Sequence, residues 1–357
     1  MSDTLPELTE ASLSFLEKRG VDDAIVAANR SISHQIRFTK NEVNIAKRWQ
    51  STNLSVYLVK DKRIASTDLN DVSSIRRVTD ALQDLLAFTN ALEKNVDYQG
   101  IAEGPFDYQN IPQTFDPSMN DFSDYAFDHI EGSINSALEE GAKDSAGVLE
   151  WQIGKRFLKT TSNAEVNEPS TRFLFQIRSF LSPTESGQGI CVGRDLSTFD
   201  AEQAGQNAAQ LAVQSRGGKA AKGGTFNALL APTVAGELME KIISAANPFS
   251  IESGQSWLHD KIGQQILLEG FAAYDDGTIP NGFRSAKADS EGVRTRKTPL
   301  IENGILKGLI HNTSTAKKAG TTSTGNAGLV APQNSNILVE PGDYHFGEMI
   351  AECKSPT

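Results

Sequence analysis

The spacing of apolar positions changes period several times along the chain. Between residues 9 and 19, Leu13, Phe15 and Leu16 fall at helical spacing, with Thr9 as the expected cap and Gly20 as the stop. The run DDAIVAAN (22–29) then reads as a strand, and alternation continues through 34–38 and 53–59. Asp61-Lys62 separates this last strand from Arg63-Ile64-Ala65, which predicts a hairpin. Across 72–92 the period returns to that of a helix, with Ile75, Val78, Leu82 and Leu85 on one stripe.

The stretch 98–117 is rich in Gly, Pro, Gln and Asp and reads as a boundary. A helix is expected over 122–141, then strands at 147–153, 156–161, 172–181 and 189–194, then a helix over 200–214. Gly187-Gln188-Gly189 lies within strand-like sequence and predicts a bulge. Beyond it come a short strand at 227–231, a helix opened by Pro232 and reaching Ala246, and a strand at 264–274. Asn303-Gly304 is the strongest two-residue hairpin signal, because a type I′ turn needs positive φ at both positions. Leu300-Ile301 and Ile305-Leu306 flank it, and 337–339 reads as a last strand. Strands in runs, without βαβ alternation, predict an α+β fold of mainly antiparallel sheets with flanking helices. The expected domains are an N-terminal α/β domain (1–115), a middle α+β segment (116–224) and a C-terminal β-rich domain (225–357).

Composition narrows the function classes. The chain has 357 residues, 38% hydrophobic and 22% charged, with a formal net charge of −11. An acidic chain without a long basic patch is expected to make no direct contact with nucleic acid. No apolar run approaches the ~20 residues of a membrane span, and the first 20 residues lack the charged and apolar regions of a secretory signal. Cys191 and Cys353 stand far apart, in no CxxC pattern, which suits a reducing cytoplasm.

Familiar catalytic patterns are missing. The five histidines, His34, His129, His259, His311 and His345, include no pair at zinc-binding helical spacing. Gly217-Gly218-Lys219 is followed by Ala220, where a phosphate loop needs a hydroxyl, and no G-x-S-x-G elbow occurs. The densest polar sequence is 275–328. It holds Asp275-Asp276, Asp289-Ser290-Glu291-Gly292 and Ser323-Thr324-Gly325-Asn326 around the Asn-Gly hairpin. Neighbouring carboxylates can bind a hard cation or share a proton, and more often they start turns through Asx hydrogen bonds. A glycine-rich surface loop set fits the same residues.

The run DSEGVRTRKTPLIENGILKGLIHNTSTAKKAGTTSTGNAG resembles the C-terminal domain of the TldD/PmbA family. The resemblance rests on Glu291-Gly292, Gly304-Ile305-Leu306, Thr315-Ala316-Lys317 and Ser323-Thr324-Gly325-Asn326-Ala327, and extends along nearly the whole chain. It implies a metallopeptidase family of two paralogous subunits acting on unfolded or modified peptides. TldD-type chains carry HExxxH on a helix of the last domain. Here the corresponding helix has Met239-Glu240 and Ser244, and neither Met nor Ser replaces an imidazole at zinc.

The resemblance therefore implies the PmbA/TldE type. No cofactor is expected in this chain, with zinc in a TldD-like partner. Expected partners are that paralogue, as a heterodimer, or a second copy as a homodimer, together with a peptide substrate, and neither nucleic acid nor membrane. Glu240, Asp289, Glu291, Arg294 and Asn326 are the candidates for a peptide groove or interface. Family members continue into a glycine-rich, β-forming tail beyond the Pro-Gly-Asp segment. A chain ending at Thr357 would lack those strands and leave a sheet edge open to pairing. The alternative is a regulatory protein-binding module of the gyrase-modulator type.

Overall fold

The computed structural model describes residues 4–220 and 223–353; the polar ending read from the sequence, 354–357, lies outside them. The chain divides into two compact units. Unit 1 holds the residues up to Val96 together with Glu103–Lys219 and Ile279–Lys287. Unit 2 holds Asp97–Ala102, Ala220–Thr278 and the residues from Ala288 onward.

Unit 1 is built on one six-stranded antiparallel sheet in the order β3-β2-β1-β4-β5-β6. Its strands are β1 (Asp23–Thr39), β2 (Glu42–Lys60), β3 (Arg63–Leu69), β4 (Asp144–Thr160), β5 (Glu165–Ser182) and β6 (Glu185–Gly193). The expected domains 1–115 and 116–224 contribute three strands each to this sheet. Among the described residues, four α-helices belong to the unit: α1 (Leu5–Glu17), α2 (Ile75–Asn90), α3 (Ala126–Glu139) and α4 (Ala201–Gln214).

Alternation along β1 separates the two faces of the sheet. Ala24, Val26 and Ala28 pack under α1 and α2 with Leu8, Leu16, Val78 and Leu82. Ile36 and Phe38, on the same face further along, pack under α3 and α4 with Phe122, Ile130, Phe173 and Phe175. Each large apolar side chain removed from water here contributes about 1.5–3 kcal/mol. Between the two cores the opposite face carries Asn29, Ser31 and Ser33, so the middle of the sheet is polar there.

Several local expectations change. α1 begins earlier than predicted, because Thr4 and Glu7 form a reciprocal capping box; Glu7 Oε2 accepts from Thr4 N at 2.7 Å. Thr9, the expected cap, is buried inside the helix, its hydroxyl 3.4 Å from the Phe157 carbonyl. Strands predicted as 147–153 and 156–161 are one strand, β4, since Gly154 and Lys155 stay in register with β1 and β5. The glycines at 187 and 189 mark no bulge: both keep regular pairing with β5. They serve the packing of α4, because a Cβ at Gly187 would strike the Ala208 main chain and one at Gly189 the Ala204 carbonyl. α4 returns the fit with Ala204, Ala208 and Ala212, while its Gly205 lies against Ser133 of α3.

Unit 2 has a four-stranded sheet in the order β10-β7-β8-β9, formed by β7 (Ala273–Asp276), β8 (Lys297–Glu302), β9 (Ile305–Leu306) and β10 (Ile337–Val339). Its helices are α5 (Pro232–Ser244), α6 (Pro248–Glu252), α7 (Thr313–Lys318) and α8 (Phe346–Cys353). Ile243, Leu258, Leu300, Ile301, Leu306 and Ile310 form its core. The hairpin turn is as predicted, with φ of 51° at Asn303 and 74° at Gly304. The strands expected at 227–231 and over most of 264–274 are irregular instead. Gly263 and Gly270, with φ of 82° and 83°, interrupt the extended chain, which wraps the hairpin tip. There Ile266 N donates to the Gly304 carbonyl at 2.9 Å, and Gly270 N to Asn303 Oδ1 at 2.7 Å. No helix among the described residues is long and apolar enough to cross a membrane.

Two glycine substitutions should move stability in opposite directions. Gly189→Val forces α4 away from β6 and should cost about 1–3 kcal/mol. Gly236→Ala, within α5 and with nothing near its Cβ position, should stabilise its helix by up to about 1 kcal/mol. Thermal denaturation of both variants beside the parent chain reads the difference.

Candidate functional site

The polar sequence 275–328 folds in unit 2 around carboxylates that face inward. Asp275, on β7, is fully buried; its Oδ1 accepts from Asn326 Nδ2 and from Ser335 Oγ, each at 2.6 Å, and its Oδ2 from Ser335 N at 2.7 Å. Its neighbour Asp276 forms the turn that such pairs usually form, accepting from Thr278 N at 2.8 Å and Thr278 Oγ1 at 2.6 Å. Asp289 Oδ1 accepts from Glu291 N and Val293 N, and its Oδ2 from Ala327 N, each at 2.9 Å. Glu291 Oε2 accepts from Thr313 N at 3.1 Å, at the start of α7. The adjacent residues Asn326 and Ala327 are thus held by two different carboxylates.

His311 lies beside this cluster. Its Nδ1 is 3.2 Å from Thr315 Oγ1, and Thr324 is tied to its main chain on both sides. Gly325 has φ of 75° because the loop turns against the Arg294 carbonyl, where a Cβ would collide. Burial sets the electrostatics. It pushes Asp289 up to about 7, with the nearby Glu291 charge adding to the rise and the three N–H donors opposing it. Burial also raises Asp275 and Glu291, and lowers His311. Such a cluster can retain a proton near neutral pH, yet its oxygens are already engaged by main-chain and side-chain donors.

Of the residues proposed from the sequence, Asp289, Glu291 and Asn326 are buried and come together in this cluster. Arg294 is exposed on the loop beside it, and Glu240 is exposed on α5. Ser335 and Thr313 carried no sequence signal; Ser335 reaches Asp275 from sixty positions away. In unit 1, Arg156, Glu168 and Arg172 were also missed. Their matching parity on paired strands, Arg156 opposite Glu168 and Gln152 opposite Arg172, was the available clue.

The zinc that the resemblance implies for TldD-type chains does not fit the residues of this one. α5 presents Glu240 with Met239 before it and Ser244 after it; with Glu237 the helix offers two exposed carboxylates and no imidazole. Among the described residues, no group of three His, Cys, Asp or Glu side chains is placed to hold a metal ion.

Residues 223–355 match the PmbA/TldA metallopeptidase C-terminal domain, and residues 24–88 match PmbA/TldA metallopeptidase domain 1. The chain belongs to the TldD/PmbA family. An uncharacterized protein of Methanocaldococcus jannaschii is 29% identical over 255 residues, which cover 68% of this chain and 60% of that one. The matched part is thus less than two thirds of that relative. A Thermotoga maritima structure, provisionally described as a DNA gyrase modulator, shares the fold with a TM-score of 0.86 at 21% identity, covering 98% of this chain and 81% of its own. TldE from Thermococcus kodakarensis superposes with a TM-score of 0.78 at 21% identity, covering 97% of this chain and 80% of its own.

Two outcomes test the cluster. Asp275→Ala would orphan Ser335 N, at a cost of about 1–3 kcal/mol, and leave Asn326 Nδ2 with only the Gln333 carbonyl; it should loosen 323–336, read as faster amide exchange there. For Asp289, the unfolded carboxyl releases its proton near 3.8 while the folded one holds it to about 7. Its contribution should therefore fall as pH rises through that window. In Asp289→Asn this slope should vanish, as read by exchange of the Glu291 and Val293 amides after correction for intrinsic pH dependence.

Proposed function

We propose that this chain is the non-zinc-binding, TldE-like subunit of a two-chain metallopeptidase acting on unfolded or modified peptides. The observation that carries this reading is α5: in a chain of a metallopeptidase family, this helix supplies Met239, Glu240 and Ser244 and no metal-binding histidine. A chain built this way contributes shape and contact surface, while a TldD-type chain bearing HExxxH supplies zinc, and with it a polarised water for hydrolysis. Glu240 and Arg294, both exposed, are the residues proposed to meet the partner or the peptide. Asp289, Glu291 and Asn326 hold the loop beneath Arg294 in place.

Co-expression with a TldD-type chain tests the proposal. The pair should co-elute, carry zinc and cleave an unfolded peptide, whereas this chain alone should neither retain stoichiometric zinc nor cleave. Glu240→Lys should weaken co-elution without lowering the melting temperature. Stoichiometric zinc in the isolated chain, or an active TldD-type chain indifferent to this one, overturns it.

A further inference from the structure

Unit 1 carries a second candidate site, on the sheet face that the helices leave uncovered. A cavity of about 490 Å³ lies there, within the range of small-molecule sites. Register places Asn53, Asn29, Arg156 and Glu168 side by side across β2, β1, β4 and β5. Two residues along each strand come Ser51, Ser31, Gly154 and Ser170, whose small side chains leave a trough. Gln152 and Arg172 follow on its far side. The segment 283–286 forms another wall, with Arg284 among the lining residues.

The charge of this cavity runs against that of the chain. Overall the protein carries −11, yet six basic residues and one acidic residue line the cavity. Arg30 and Lys155 alternate to the other face of the sheet, which leaves Arg156, Arg172, Arg194 and Arg284. The one carboxylate, Glu168, is already engaged: it accepts from Lys287 N at 2.7 Å and pairs with Arg156 at 3.5 Å. Arg194 is 4% exposed. Its guanidinium donates to the carbonyls of Thr171 at 2.9 Å, Thr114 at 2.7 Å and Ser285, and it forms no salt bridge among the described residues. Burial lowers the Arg194 pKa and the Glu168 charge opposes that fall, so this single carboxylate serves Arg194 as well as Arg156, and Arg172 and Arg284 are left to supply the excess positive charge. Arg172 is exposed and likewise forms no salt bridge among the described residues.

We propose that this cavity binds a ligand bearing oxyanions, carboxylate or phosphate, held by Arg172, Arg156 and Arg284 over the hydroxyls of Ser31, Ser51 and Ser170. Guanidinium groups match both oxyanions with paired donors; the Ser31 and Ser51 hydroxyls bond each other at 2.9 Å, so one of that pair, together with Ser170, can donate to the same oxygens. The source is either the acidic side chains of a short peptide or a small phosphate compound. The site uses neither α5 nor any partner chain, so its test is separate from that of the peptidase assembly.

Calorimetric titration of the full chain at about 50 mM salt, where screening is modest, uses two probes: tri-glutamate peptide and inorganic tripolyphosphate. At least one should bind with a dissociation constant below about 1 mM. Arg172→Glu and Arg284→Glu should each weaken it by about tenfold or more without lowering the melting temperature. Arg178→Glu, an exposed change on the same strand outside the cavity, should leave it intact. Binding of the peptide alone assigns the site to acidic peptides, and of tripolyphosphate alone to phosphate compounds. If neither probe saturates, or Arg178→Glu weakens binding as much as Arg172→Glu, the site is refuted.

Discussion

A carboxylate taken out of water must be given hydrogen-bond donors or a proton, and the loops of unit 2 are organised by that requirement. Its sheet strands are short, two to six residues each. Regular ladders therefore leave much of the backbone to be fixed in other ways. Asp275 and Asp289 do this by accepting from Asn326, Ala327, Ser335, Glu291 and Val293. The arrangement makes the loop 323–327 and the hairpin parts of one polar framework. Burial raises the carboxyls, and the donors oppose that rise.

Unit 1 meets the same constraint with the opposite sign. Arg194 is buried and gives its guanidinium to three main-chain carbonyls, which fixes the segment 279–287 against the sheet through Ser285. Glu168 secures the same segment at Lys287 N. The polar stripe between the two apolar cores thereby becomes a walled cavity with an excess of positive charge, set in an acidic chain.

Family membership and site chemistry point to different conclusions about what this chain does by itself. The fold and domain matches are those of a metallopeptidase family. α5 presents an exposed Glu240 flanked by residues that cannot take the place of imidazoles. The proposed division of labour between two chains would reconcile the two.

The α+β class, most helices and the Asn303-Gly304 turn were legible in the sequence, because period, caps and turn chemistry act over a few residues. Asp200 capping α4 and the φ values at the hairpin follow from neighbours alone. Where local signals competed with distant ones, the sequence was a poor guide. Gly187 and Gly189 look like a bulge until α4 is laid against them, and the apolar run 264–274 looks like a strand until the hairpin tip claims its donors. The acidic and hydroxyl residues of 275–328 announced a polar cluster, but not that it faces inward. Only the tertiary structure decided that, since Asp275 meets Ser335, and Arg156, Arg172 and Arg284 line one cavity, through contacts between residues far apart in the chain.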